Sequence, residues 1–221
     1  MHKKVAVILS GCGVYDGAEV YESVLTLLRL DQRGALVQCF APNIAQHQVI
    51  NHLSGEEMPE SRNVLVEAAR IARGQIKDVR EAKAEDFDAL ILPGGFGAAK
   101  NLSDFASNGA HCSVQPDVLA LAKAFAAAQK PVGLICIAPA LAAKIYGPGV
   151  TCTIGNDVGT AAALSEMGVQ HEACTVDEII EDTERKLVST PAYMLAQSIS
   201  EAASGINKLV DRVLELTVPQ S

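Results

Sequence analysis

Three short runs of this chain, residues 4–10, 87–92 and 132–135, carry apolar side chains at nearly every position. A strand with one face in water alternates apolar and polar residues, whereas a strand without alternation has to be covered on both faces. The stretches between the runs supply the cover. Helical periodicity extends through residues 18–33, where Val20, Val24, Leu27 and Leu28 fall on one stripe, and through 63–73, 116–129, 157–167 and 195–216. Gly34 and Gly168 stand where the first and fourth of these segments stop, and Pro116 opens the third, in a turn that tolerates a missing N–H. Further strands read at 36–40, 76–79, 151–154, 169–174 and within 184–190. Buried strands alternating with amphipathic helices predict an α/β fold, a three-layer α/β/α sandwich around a mostly parallel central sheet. No internal repeat or low-complexity linker interrupts the 221 residues, so one domain is expected over 1–221.

Charge and cysteine spacing remove several function classes. The formal net charge is −8 and there is no basic run, which argues against a nucleic-acid partner. No apolar run approaches the length of a membrane span. The apolar stretch at 5–9 is too short for a secretion signal, so the expectation is a soluble cytoplasmic protein. Six cysteines lie at 12, 39, 112, 136, 152 and 174, with no CxxC pair among them. That spacing offers no metal site, and a chain of this length and apolarity needs no disulfides. They read as free thiols, mostly buried as small apolar residues, with one or two reactive at most.

In a sheet of this kind the site lies at the carboxyl ends of the strands, where the loops 11–17 and 94–100 and the turn after Ile135 converge. Gly11, Gly13 and Gly17 raise the question of a dinucleotide. Their spacing is one residue longer than the usual fingerprint. The second strand ends in Cys39-Phe40-Ala41-Pro42 with no acidic residue to hold a ribose, and Asp16 would sit beside the pyrophosphate. The glycines read instead as a steep turn at positive φ.

The stretch Pro131-Val-Gly-Leu-Ile-Cys-Ile-Ala-Pro139 carries the sharper signal. A buried strand ends in Cys136 and helical residues follow at once, the pattern of a nucleophile elbow. Free N–H groups at a helix start favour thiolate over thiol, so a lowered pKa is expected. Against this stands a plain structural cysteine at a strand end. Pro93-Gly94-Gly95-Phe96-Gly97 follows another central strand. Paired glycines let backbone N–H groups approach a reacting oxygen, with the Ile137 N–H as a further donor, although a tight turn needs the same glycines. Cys12, near the same strand ends, reads as structural, with a second thiol beside Cys136 as the alternative.

Glu22 in the first helix, the LPGG after a central strand and the G-x-x-C-x-x-P elbow together resemble the PfpI superfamily, whose fold is flavodoxin-like and class I glutamine-amidotransferase-like. Within it, SGCGVYDGAE, INHLSGE, PGGFGAAKNLSDFA, CIAPA and STPAYMLAQSISEAASGI are similar to ElbB-type glyoxalases, also described as isoprenoid biosynthesis or enhancing lycopene biosynthesis proteins. The likeness covers nearly the whole chain. It implies a homodimer without metal or other cofactor, with glyoxalase III-type activity that converts glyoxal, and other 2-oxoaldehydes, to 2-hydroxy acids such as glycolate. It implies Cys136 as nucleophile, Glu22 as the carboxyl beside it, and Gly94, Gly95 and Ile137 as backbone donors. One departure stands out. Amidotransferases place a His beyond the cysteine, but the corresponding Thr153-Ile-Gly-Asn-Asp157 has none. His171, His47 and His52 read as surface or satisfied residues, and nothing in the sequence brings His111 to the pocket. A chain without that base also admits a redox- or aldehyde-responsive regulatory or binding protein whose catalysis is incidental. A glutaminase is disfavoured by the same gap.

Overall fold

The computed structural model describes residues 1–217. In chain order the elements are β1 (Lys4–Ile8), α1 (Val20–Gln32), β2 (Leu36–Ala41), α2 (Val64–Ile71), β3 (Ile76–Asp78), β4 (Ala89–Leu92), α3 (Phe96–Lys100), α4 (Phe105–Asn108), α5 (Pro116–Ala127), β5 (Val132–Ile135), α6 (Ala142–Tyr146), β6 (Thr151–Cys152), α7 (Val158–Glu166), β7 (Gln170–His171), β8 (Ile180–Asp182), β9 (Leu187–Thr190) and α8 (Ile199–Leu216). Seven strands form one sheet in the order β3-β2-β1-β4-β5-β9-β8, parallel except for β8, which pairs antiparallel with β9. β6 and β7 pair separately.

The unbroken apolar runs now have their reason. Along β1, Ala6 and Ile8 face one core with Phe125 and Leu121 of α5, while Val5, Val7 and Leu9 face another with Ile206, Leu209 and Val213 of α8. β4 divides in the same way, Leu90 and Leu92 to the first core, Ala89 and Ile91 to the second. The expected three-layer α/β/α arrangement is therefore present, with α3, α5, α6 and α7 contributing to one side and α1, α2 and α8 to the other.

The stripe expected on α1 is not its buried face. Glu22, Ser23, Thr26 and Leu30 point inward, whereas Val24 and Leu28 are 48% and 47% exposed. The inward polar groups are satisfied locally: Ser23 Oγ donates to the Glu19 carbonyl and Thr26 Oγ1 to the Glu22 carbonyl, each at 2.7 Å. A hydroxyl bonded back into its own helix behaves as a small side chain, and small side chains let α1 lie close against α8. Arg29 fastens the contact, donating from Nε and Nη2 to the two carboxylate oxygens of Asp211 at 2.9 and 2.7 Å. No helix among the described residues is long and apolar enough to cross a membrane.

Candidate active site

β5 delivers Cys136 to the carboxyl edge of the sheet. Its N–H donates to the Thr190 carbonyl at 3.0 Å, which extends the β5–β9 pairing one residue past the strand. The backbone then turns sharply, with Cys136 at φ 63° and a short 3-10 turn, Ala138–Leu141, directly after it. A side-chain-bearing residue in this left-handed region costs about 1–2 kcal/mol.

Glu22 sits at the third position of α1 and is fully buried. Its Oε1 accepts the Gly94 N–H at 2.9 Å and its Oε2 the Tyr193 N–H at 3.2 Å, and its carboxyl is hydrogen-bonded to the Cys136 thiol. Glu19 caps the same helix, accepting the Glu22 N–H at 2.6 Å. The two glycines are dictated by contact. A methyl at Gly94 would lie 2.5 Å from Cys136 Cβ and 2.8 Å from Glu22 Oε1, and one at Gly95, φ 94°, would strike the backbone of Glu19 and Gly17. Gly94→Ala should therefore separate the thiol from its carboxyl and destabilise the fold by roughly 1–3 kcal/mol, the usual effect of overpacking. Urea denaturation checks this, and unchanged stability would contradict the packing account.

Cys136, Glu22, Gly94, Gly95 and Ile137 thus meet in one place, with one role altered. The Gly94 N–H is committed to Glu22 and does not stand free for a reacting oxygen. The backbone donors acting on the sulfur are Gly95 and Ile137.

The electrostatics reverse an expectation. Burial, followed by the charge of Glu22, holds the Cys136 thiol well above the ordinary thiol range, against the opposing pull of the Gly95 and Ile137 N–H groups. The lowered value expected from a helix N-terminus fails because desolvation of the buried sulfur, followed by the charge of Glu22, outweighs the N–H groups that face it. Burial and the neighbouring Glu19 push Glu22 up to about 8, in spite of its three hydrogen bonds. At neutral pH the pair keeps its protons.

Cys136 opens onto a cavity of about 490 Å³. Val14, Phe96, Phe105, Ile137 and Met194 give it apolar walls, and Glu19, Asp157, Thr160 and Tyr193 add polar groups. Two larger depressions, about 600 and 530 Å³, lie around Met1, His2 and Lys3, away from the thiol. No histidine lines the Cys136 cavity. His171 is spent on structure, its Nε2 accepting the Ile154 N–H at 3.2 Å. His52 stacks on Tyr15 at 4.9 Å and accepts its N–H. His47 is absent from the wall, and His111 is exposed beside Glu166. Cys12 lies outside the wall, and burial and the charge of Glu67 raise its pKa. All six cysteines are free. Among the described residues no group of three or more His, Cys, Asp or Glu side chains is placed to hold a metal ion.

Glu19, Asp157 and Tyr193 escaped the sequence reading. Glu19 and Asp157 had a signal, since each is an acidic residue directly before a helix, where it caps. Tyr193 had none: its bond to Glu22 spans 171 positions, and it hangs on a 3-10 turn with Ala192 at φ 44°.

Residues 3–189 match the family model described as DJ-1/PfpI family. The chain is 46% identical over 224 residues to the ES1 protein homolog, mitochondrial, of Rattus norvegicus, covering 97% of this chain and 84% of that protein. It is 47% identical over 224 residues to the Homo sapiens glutamine amidotransferase-like class 1 domain-containing protein 3, mitochondrial, covering 97% and 83%. A crystal structure of an isoprenoid biosynthesis protein with amidotransferase-like domain from Ehrlichia chaffeensis superposes with a TM-score of 0.89 at 36% identity, over 96% of this chain and 99% of that one. The rat and human names point to the mitochondrion and overturn the cytoplasmic expectation. That expectation rested on the lack of a secretion signal, and the charge and core of a folded domain carry no cellular address.

Proposed function

The chain belongs to the DJ-1/PfpI family, with the class I glutamine amidotransferase-like fold, and from that premise we propose that it is a cofactor-independent glyoxalase of the ElbB type, acting on 2-oxoaldehydes through Cys136. The observation that carries the reading is a thiol that lines a cavity and is hydrogen-bonded to a fully buried carboxyl. The sulfur adds to the aldehyde carbon of the substrate, and its proton passes to the carbonyl oxygen through Glu22. The Gly95 and Ile137 N–H groups, which act on the sulfur in the resting site, would turn to that oxygen while it carries charge. A proton then leaves the former aldehyde carbon and another reaches its neighbour. The first carbon is oxidised to a thioester and the second reduced to a carbinol, so no outside redox partner is needed. Water cleaves the thioester, releases the 2-hydroxy acid and returns the thiol.

The two carboxylates divide the proton traffic. Glu22 is closed off and serves the sulfur, whereas Glu19 lines the cavity, and to it we assign the proton of the substrate carbons. Glu19→Gln keeps an oxygen to cap α1, so the fold should survive while kcat falls on the order of 10²-fold, the scale of a lost general base. An unchanged kcat would remove Glu19 from the mechanism.

The reading as a whole is tested by following glyoxal and glycolate by NMR with the purified protein and no additive. If the same glycolate rate persists without the Cys136 sulfur, the reading is rejected. One observation favours the alternative of an aldehyde-responsive regulator: a thiol that stays protonated, with no histidine at hand, turns over slowly. We further propose a homodimer, for which the exposed Tyr21, Val24 and Leu28 of α1 offer an apolar face.

A further inference from the structure

We infer that the preferred substrate is an uncharged 2-oxoaldehyde bearing an apolar, aryl-sized substituent, with glyoxal a minimal surrogate; this rests on the glyoxalase reading above. The cavity over Cys136 measures about 490 Å³. Glyoxal is no bulkier than a few waters, each of which occupies about 30 Å³ of liquid. It would leave most of the space unfilled, while cavities of this size hold ligands much larger than that. The walls select further. Phe96, Phe105, Ile137 and Met194 offer carbon and sulfur surface, which favours an apolar group over the hydrated, polar form glyoxal takes in water.

Charge points the same way. The ionisable groups on the wall besides Cys136 and Tyr193 are Glu19 and Asp157, and no Lys or Arg lines it. The Asp157 carboxylate is held by the Thr160 N–H and hydroxyl at 2.9 and 2.6 Å, an arrangement that favours its charged form. A substrate carboxylate would enter a wall with acidic groups and no cation of its own, the Lys100 ammonium being engaged with the Phe96 ring at 5.0 Å and the Tyr15 carbonyl at 3.0 Å. The same absence tells against glutamine, whose α-carboxylate needs such a partner.

The experiment compares kcat/KM for glyoxal, phenylglyoxal and 4-carboxyphenylglyoxal, subtracting turnover by Cys136→Ala. Phenylglyoxal should exceed glyoxal by at least about 10-fold, since even one methylene in an apolar pocket is worth 10-fold or more. The carboxylated compound should fall at least about 10-fold below phenylglyoxal. Phe96→Ala should lower the phenylglyoxal-to-glyoxal ratio by about 10-fold, on the same scale for a lost apolar contact. Phe96 is 47% exposed, so its truncation leaves both cores intact. Met194→Ala repeats the test from the opposite end of the chain. If glyoxal is turned over through Cys136 as fast as phenylglyoxal, or the carboxylate is tolerated, this inference is overturned and the glyoxalase reading stands. If none of the three is turned over through Cys136, both fall together.

Discussion

Cys136→Ala should reduce glycolate formation to the uncatalysed background, a loss on the order of 10³–10⁶-fold, the range seen when a covalent nucleophile is removed. No other thiol reaches the cavity: Cys12 lies outside the wall, and Cys39, Cys112, Cys152 and Cys174 are buried elsewhere. The hydroxyls present, of Thr160 and Tyr193, have no buried carboxyl bonded to them as Cys136 does. The substitution removes one atom and leaves a residue that meets the same φ of 63° at similar strain, so the fold should persist. Circular dichroism and urea titration should show a stability within about 1 kcal/mol of the parent, the usual range for a small change without a large cavity. Mass spectrometry adds an independent readout. Glyoxal-treated protein trapped at low pH should carry its adduct on the peptide containing Cys136, and an adduct spread evenly over the six thiols would deny that residue any special position.

Glu22→Gln has the second largest expected effect, and it acts on both rate and stability. Removing the proton carrier of the sulfur should lower kcat/KM on the order of 10²–10⁴-fold. The pH profile is the more specific readout. In the parent, the pair releases a proton as pH rises through about 8, the value to which burial lifts Glu22, so kcat/KM should climb there. The variant should lack that rise. Stability follows from the same shift. The carboxyl is raised from 4.5 to about 8 on folding, so the unfolded chain releases its proton first as pH increases. The contribution of this group is therefore full below about pH 4.5 and is lost progressively as pH climbs to about 8. At roughly 1.4 kcal/mol per unit, the unfolding free energy of the parent should decline across that window by a few kcal/mol relative to the variant. Parallel curves from denaturation at pH 5 and pH 8 would mean that Glu22 is not held protonated.

The features legible in the sequence were those that local backbone rules dictate. Continuous apolar runs required cover on both faces, and β1 and β4 divide their side chains between two cores accordingly. Gly94 and Gly95 were readable because no other residue fits their contacts, and Cys136 because a strand met a turn within one residue. What escaped depends on distant partners or on environment. α1 buries its polar side because Ser23 and Thr26 bond back into their own helix, which a count of apolar residues misses. α3 and α4 are short and rich in small residues, so 94–100 read as loop and no helix reads at 105–108. β8 is a three-residue strand returning antiparallel across a charged turn, too brief for a periodic signal. The direction of the Gly94 N–H follows from the burial of Glu22, and the raised thiol pKa from the burial of Cys136 itself and then from the Glu22 beside it, none of which a residue's place in the sequence reveals.

The buried, protonated thiol also bears on what can harm this protein. Peroxides and most electrophiles attack sulfur as thiolate, at rates that follow the thiolate fraction and access. A thiol 7% exposed and held well above its ordinary pKa is slow toward such reagents in bulk solution. On the glyoxalase reading, its reactivity is reserved for a molecule that enters the cavity and offers an oxygen to take the proton. Discrimination among electrophiles should then follow access to the cavity more than the intrinsic reactivity of the sulfur.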